Sequence, residues 1–186
     1  MTWALAATGG LAFVLAFPPF YLWPMVALAP ALLAWAALGA RSGKRLALAV
    51  YVTQVAVWLW LDVWIVAVTA AGYPAKVLYM GVWGVAFAAI VRMAGRRAEM
   101  RRLPMTLIVP VAWVGIETLR GSILFDGYPW YLIAHPLVEW PVLVQTADIG
   151  GAYLVSVLAA VTSGAMVDGL RWREGRGGMR TAIGGG

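Results

Sequence analysis

The sequence predicts an all-α integral membrane protein, a bundle of about six transmembrane helices. Hydrophobic residues make up 63% of the 186 positions and charged residues 12%, with a mean hydropathy of +0.83. Soluble domains are about 45–50% apolar and about 25% charged. The basic residues also fall in blocks between hydrophobic runs, which is typical of the loops on one side of a membrane.

Six apolar runs predict helices over residues 3–17, 21–40, 46–71, 77–91, 103–119 and 142–167. Pro18 and Pro19 end the first run, because proline lacks an N–H and disfavours helical geometry in the residue before it. That run is short for a full crossing, so the first two helices are either tilted spans or a tight hairpin. We expect residues 1–170 to form the membrane domain and residues 171–186 a disordered, basic and glycine-rich cytoplasmic tail.

The basic residues predict the orientation of the chain. All but two of the 14 lysines and arginines lie in three blocks, at positions 41–45, 92–102 and 171–180. The exceptions are Lys76 and Arg120. Because basic loops stay in the cytoplasm, both termini are predicted to be cytoplasmic and the loop over residues 120–140 to lie outside. A net charge of +6 divided among loops does not predict nucleic-acid binding.

Residues for covalent chemistry are scarce. The absence of cysteine excludes a disulfide framework, a thiolate metal site and a cysteine nucleophile. The single histidine, His135, has no evident nucleophile beside it, and we interpret it as a solvated interfacial residue. The sequence therefore predicts no catalytic residue, no metal site and no cofactor within this chain.

Asp62 lies inside the third predicted helix. A carboxylate at that depth should face the bundle, where hydrogen bonding to another helix is the main interpretation. A small transporter subunit would instead use Asp62, Glu117 and Asp148 as a polar path. A noncatalytic, lipid-binding membrane scaffold is a third possibility.

Glu117 and Arg120 lie three residues apart near the end of the fifth helix. This spacing places them on one helical face and predicts an ion pair that anchors the helix end. In the alternative interpretation, Arg120 binds a phospholipid phosphate while Glu117 orients it, since a guanidinium suits bidentate phosphate contacts.

Two further segments carry candidate residues. The aromatic loop after Arg120 contains Tyr128 and Trp130, which form either an interfacial belt or the floor of a lipid-accessible cleft. Asp148 opens the sixth helix and is expected to cap it or to accept a hydrogen bond, while Gly150 and Gly151 permit close backbone approach.

Four motifs in this order resemble the membrane part of apolipoprotein N-acyltransferases. They are Ala16-Phe17-Pro18-Pro19; Trp113, Glu117, Arg120 and Gly121; the loop Gly127-Tyr128-Pro129-Trp130; and the run from Asp148 through Gly150, Gly151 and Tyr153 to Ser156. The resemblance extends from Leu11 to about Asp168, and Asp62 is a departure from it.

The resemblance implies a multi-pass protein of the bacterial inner membrane. It implies transfer of an acyl chain from a phospholipid donor to the N-terminal diacylglyceryl-cysteine of a lipoprotein, with membrane lipids and lipoproteins as partners. In that family a Glu-Lys-Cys triad in a periplasmic nitrilase-like domain performs the reaction through a thioester. The chain is thus expected to be the membrane portion, to read as a truncated product and to be inactive alone.

Overall fold

The computed structural model describes residues 1–97, 99–100 and 102–175. It contains seven α-helices, namely α1 (Thr2–Ala16), α2 (Met25–Gly39), α3 (Gly43–Leu61), α4 (Gly72–Arg96), α5 (Met105–Thr118), the short α6 (Pro141–Val144) and α7 (Ala147–Arg173). No strand occurs in this described part of the chain. The prediction of an all-α membrane protein is confirmed. Helix α7 extends to Arg173, beyond the predicted domain boundary, and most of the predicted tail lies outside the described residues.

Among the described residues, four helices are long and apolar enough to cross a membrane, namely α3, α4, α7 and the 19-residue helix formed by α5 with the π-helical turn Leu119–Ile123. Helices α1 and α2 are apolar but have only 15 residues each. At 1.5 Å per residue, each rises about 22 Å, less than a hydrocarbon core of about 30 Å. Met1 lies beside Gly39 and Gly9 beside Ala29, so the two helices pack as an antiparallel pair. Both the tilted-span and the hairpin interpretations predict this arrangement.

Small residues let the helices approach closely. Ala6, Ala16, Ala29 and Ala34 are fully buried in the core. At Gly164 of α7, a Cβ atom would collide with the backbone at the start of α5. Membrane helices associate through close packing of this kind, because lipid provides little hydrophobic driving force between them.

Two predicted boundaries are wrong around Asp62. Helix α3 ends at Leu61, and a 3-10 turn over Val63–Ala67 follows. Helix α4 then begins at Gly72, whose N–H donates to the Thr69 hydroxyl at 3.1 Å. Pro74 is tolerated in the first turn, where its missing N–H would have had no helical partner. Residues 72–76, predicted to be a loop, are therefore helical.

The predicted sixth helix is also divided. Helix α6 ends at Val144, and α7 is interrupted at Gly150 and Gly151, where Gly151 has a φ of +64°. Only glycine adopts this conformation without strain. A Cβ at Gly151 would meet no neighbour, so this glycine provides a change in direction rather than the close approach we predicted.

The bundle has two chemically distinct ends. At the basic end, Met1 lies near Arg171 and Glu174 in one cavity lining and near Arg41 in another. At the aromatic end, three connections meet, formed by residues 17–24, 62–71 and 119–146. Aromatic pairs with ring centroids 5.1 Å to 5.8 Å apart join segments there; among the described residues they include Phe17–Tyr131, Trp23–Trp140, Trp58–Tyr131, Trp64–Trp130 and Tyr79–Phe125.

Candidate functional site

The sequence-predicted residues gather mainly at the aromatic end. We define the aromatic-end cluster as Asp62, Lys76, Glu117, Arg120 and Tyr128. Asp62, Glu117 and Arg120 are respectively 0%, 3% and 4% exposed, and Lys76 and Tyr128 are half-buried. Charged groups at such burial are stable only with specific polar partners. The partners therefore indicate what each group does.

Glu117 binds the loop over residues 120–140, which is predicted to lie outside and which we call the outer loop. Its Oε1 accepts one hydrogen bond from Trp113 Nε1 at 2.9 Å and another from the backbone N–H of Ile133 at 2.8 Å. Trp113 is one helical turn earlier on α5, and its ring packs against Phe87 of α4 at 4.9 Å. The carboxylate thereby connects the helix to a loop residue that is itself fully buried.

Arg120 holds the same loop at two other points. Its Nη1 donates to the carbonyl oxygens of Tyr128 at 3.0 Å and Trp130 at 2.8 Å. The backbone carbonyl of Arg120 also accepts from the N–H of Tyr128 at 2.7 Å. The guanidinium carbon lies 5.6 Å from the centroid of the Trp58 ring, within the range of a cation–π contact.

The predicted ion pair between Glu117 and Arg120 is not formed. Within the described residues, the side-chain ion pairs join Lys76 to Asp62 and Arg171 to Asp168. The helix changes from α to π geometry between Thr118 and Leu119, so the two side chains do not keep the spacing of an ideal α-helix. Each instead binds backbone groups of the outer loop.

Arg120 is also poorly placed for the alternative role in phosphate binding. It lines a cavity with Gln54 and Glu117, but this cavity measures only about 40 Å³. Small-molecule sites usually measure about 300–1,000 Å³. A lipid headgroup does not fit there, and the guanidinium is otherwise covered by the loop that it binds.

Asp62 connects three segments. It accepts a hydrogen bond from the Tyr128 hydroxyl at 2.7 Å and forms an ion pair with Lys76. The Lys76 ammonium also lies 3.5 Å from the centroid of the Tyr128 ring. Asp62 thus joins the end of α3 to α4 and to the outer loop. Asp62 follows the last residue of α3, so the prediction that it lies inside that helix is wrong. The hydrogen bond to another element that we predicted for Asp62 is present.

Tyr128 and Trp130 have different environments. Burial, followed by the neighbouring Asp62 carboxylate, raises the pKa of the Tyr128 phenol well above its ordinary value, so the hydroxyl remains a proton donor. Burial likewise raises the pKa of Tyr131, whose hydroxyl donates to the Leu61 carbonyl at 2.5 Å. Trp130 is 55% exposed and faces outward.

Two candidates lie apart from the cluster. Asp148 is exposed in the first turn of α7, where no side-chain bond caps the helix. His135 is exposed and begins a 3-10 turn that contains Glu139. His135 and Glu139 line a groove of about 300 Å³ with Phe17, Tyr21 and Trp130. Partial burial, with a contribution from the positive charge of Arg120, lowers the pKa of His135.

Sequence reasoning missed Lys76. It was assigned to a loop, whereas the structure places it in the second turn of α4. A signal was present, because an intramembrane carboxylate requires a compensating cation and Lys76 follows Asp62 by 14 positions.

Among the described residues, no group of three His, Cys, Asp or Glu side chains could hold a metal ion.

Comparison with known proteins shows the family to which this chain is similar. Residues 9–165 match the family described as the apolipoprotein N-acyltransferase N-terminal domain. The chain is 31% identical to an apolipoprotein N-acyltransferase of Rhodopirellula baltica, over 92% of this chain and 32% of the relative. Identity to the enzyme of Geobacter metallireducens is 30%, over 86% of this chain and 32% of the relative.

A third relative, from Vibrio parahaemolyticus, is also named apolipoprotein N-acyltransferase and is 26% identical over 87% of this chain and 33% of its own length. The chain thus spans about a third of the length of these relatives. The matched residues include every member of the aromatic-end cluster. This chain therefore belongs to the apolipoprotein N-acyltransferase family and corresponds to its N-terminal domain.

Proposed function

We propose that this chain is the membrane portion of an apolipoprotein N-acyltransferase, in which it positions the outer loop where two lipid substrates meet. The whole reaction would transfer an acyl chain from a phospholipid to the N-terminal diacylglyceryl-cysteine of a lipoprotein. The observation that carries this role is the attachment of one loop by two buried charged residues. Glu117 binds Ile133, and Arg120 binds Tyr128 and Trp130, all through backbone groups.

The attached loop presents an apolar surface. Phe125 is 83% exposed, Trp130 55% and Trp140 48%. Exposed apolar patches of this kind mark surfaces that meet a lipid or another domain. The groove of about 300 Å³ beside Trp130 and Phe17 is large enough for part of an acyl chain. In this proposal the acyl donor and the lipoprotein acceptor approach at the aromatic end.

Within the cluster, Lys76 is the cation that a headgroup can reach. Its side chain is 20% exposed, whereas Arg120 is 4% exposed and bound to carbonyl oxygens. We therefore assign a positioning role to Glu117 and Arg120, and we propose Lys76 as the contact for a lipid phosphate. Asp62 and Tyr128 hold the ammonium in place.

The covalent step requires residues that these 186 positions do not contain. In the family reaction, a cysteine thiolate attacks the ester carbonyl of the phospholipid, and the lysophospholipid leaves. The lipoprotein amine then attacks the thioester, an amide forms and the thiol is released. The sequence has no cysteine, so we expect this chain alone to form no acyl-enzyme.

A chimera tests the proposal. The membrane portion of a complete relative is replaced by this chain, and acyl transfer to a lipoprotein peptide is measured with labelled phospholipid. The chimera should be active, and Arg120→Gln should reduce its turnover at least tenfold through misplacement of the loop. Arg173→Gln, at an exposed arginine of the basic end, should leave turnover unchanged. A folded but inactive chimera would contradict the proposal. So would a covalent acyl adduct on this chain incubated alone, detected by mass spectrometry.

We further propose that the protein lies in the bacterial inner membrane with its basic end, and hence both termini, in the cytoplasm. The distribution of basic residues supports this orientation. A reporter fused after Arg97 should signal from the cytoplasm, and a reporter inserted after Tyr128 should signal from outside. A periplasmic signal after Arg97 would reverse the orientation.

A further inference from the structure

A second groove lies at the basic end, between the first turns of α3 and the last turns of α4. It measures about 280 Å³. Its wall is apolar and is formed mainly by Leu46, Ala47, Val85, Ala88 and Ala89. Gly43, Arg92, Met93 and Arg96 complete the lining, which among the described residues includes no carboxylate. The apolar wall is complementary to an acyl chain, and the two guanidinium groups are complementary to an anionic headgroup. The groove therefore has the two features that a phospholipid site requires.

The two arginines are held side by side. Nη1 of Arg92 donates to the carbonyl oxygen of Ala40, and Nη2 of Arg96 approaches the same oxygen at 3.5 Å. Arg92 also donates to the carbonyl of Arg41 at 3.2 Å. Neither arginine forms an ion pair with a carboxylate in the described part of the chain. Carbonyl oxygens at a helix end supply only partial negative charge, so an anion between the guanidinium groups would relieve their repulsion.

We propose that this groove binds one anionic phospholipid, with its headgroup at Arg92 and Arg96 and an acyl chain along the apolar wall. Helices α3 and α4 are both long enough to span a membrane, so the wall continues toward the hydrocarbon region. The arginines lie in the last turns of α4 and the wall begins at the first turns of α3, which places them at headgroup depth. Basic pockets between membrane helices select anionic lipids in this way. The site is at the opposite end from the aromatic-end cluster and does not depend on acyl transfer.

Native mass spectrometry of the full 186-residue chain tests this site. The protein in detergent is titrated with phosphatidylglycerol or, separately, with phosphatidylcholine. We expect tighter retention of phosphatidylglycerol and about a fivefold loss of its affinity in Arg96→Gln, since one surface cation contributes about that factor. Arg173→Gln is the matched control, because Arg173 is an exposed arginine at the same end and outside the groove.

A second variant tests the apolar wall without changing the charge. Ala89 is exposed, so Ala89→Phe should fill the groove, leave the fold intact by circular dichroism and weaken retention of phosphatidylglycerol. Loss of retention in both variants supports the proposal. Unchanged retention in either folded variant overturns it, as does equal retention of the two lipids by the unmodified chain. Displacement of the lipid by an equimolar amount of inorganic phosphate would show a free-anion site and would also overturn it.

Discussion

The two ends of the bundle accommodate charged side chains in opposite ways. At the basic end, Arg41, Lys44 and Arg45 are exposed, and Asp168 uses its carboxylate to cap the start of α5. It accepts from the backbone N–H groups of Met105 and Thr106, each at 2.9 Å. At the aromatic end, Asp62, Glu117 and Arg120 are almost completely buried. Exposed charge thus orients a membrane helix, whereas buried charge determines which segments contact each other.

The two ends of the bundle also differ in backbone conformation. Within the described residues, non-glycine residues with positive φ are Tyr21 (52°), Phe125 (53°) and Tyr131 (58°). All three are aromatic residues in connections at the aromatic end. Left-handed conformations in bulky residues are unfavourable and persist where surrounding contacts hold them, often at functional sites. The buried bonds of Glu117 and Arg120 provide such contacts for the outer loop.

The largest effect is expected from Glu117→Ala. Its removal leaves Trp113 Nε1 and the Ile133 N–H without their buried acceptor, so the free energy of unfolding should fall by about 3 kcal/mol. Denaturant titration in detergent measures this change. Glu139→Ala is the control, since Glu139 is exposed and should change stability little. An equal loss in both variants would remove the distinction between buried and exposed charge.

Asp62→Ala should have the next largest effect, about 2 kcal/mol, because it leaves the Lys76 ammonium without its counterion. Lys76 is partly exposed, which limits the loss. Replacing both residues, as Asp62→Ala with Lys76→Met, should recover about half of the lost stability. Additive losses in this double-mutant cycle would show that the two side chains are not coupled.

At the basic end, Asp168→Ala should cost about 1 kcal/mol, the usual contribution of a helix cap. The variant loses the bonds to the start of α5 and to the Thr106 hydroxyl. Glu99→Ala, at an exposed carboxylate of the same end, serves as the control. A loss for Asp168→Ala as large as that for Glu117→Ala would abolish the proposed difference between the ends.

The smallest effect concerns pH. The pKa of His135 in the folded protein lies below its ordinary value of 6.5, so near that value the unfolded chain binds more protons than the folded one. This residue therefore reduces stability as the pH falls below 6.5. Melting temperatures at about pH 8 and about pH 5.5 should differ less in His135→Gln than in the unmodified protein. The same difference in both proteins would refute this assignment.

Sequence patterns predicted the helices better than their ends. The apolar runs located the four long helices and the two shorter apolar helices of the described residues, because burial in lipid depends on local composition. The predicted end of α3 and the predicted start of α4 were wrong. The 3-10 turn after Asp62 decides where α3 ends, and the Thr69 hydroxyl decides where α4 begins. No hydropathy pattern encodes such contacts.

For the candidate site, the unusual residues are evident from the sequence: a carboxylate and a Glu–Arg pair in apolar runs, followed by an aromatic loop. Their cost in a membrane makes them stand out without knowledge of the fold. The partners of these residues, in contrast, depend on the packing of the folded chain. Asp62 bonds to Tyr128, 66 positions away, and Glu117 bonds to a backbone N–H instead of Arg120. Such pairings depend on how helices and loops pack, because any suitable donor that packing brings within reach of a buried acceptor can bind it.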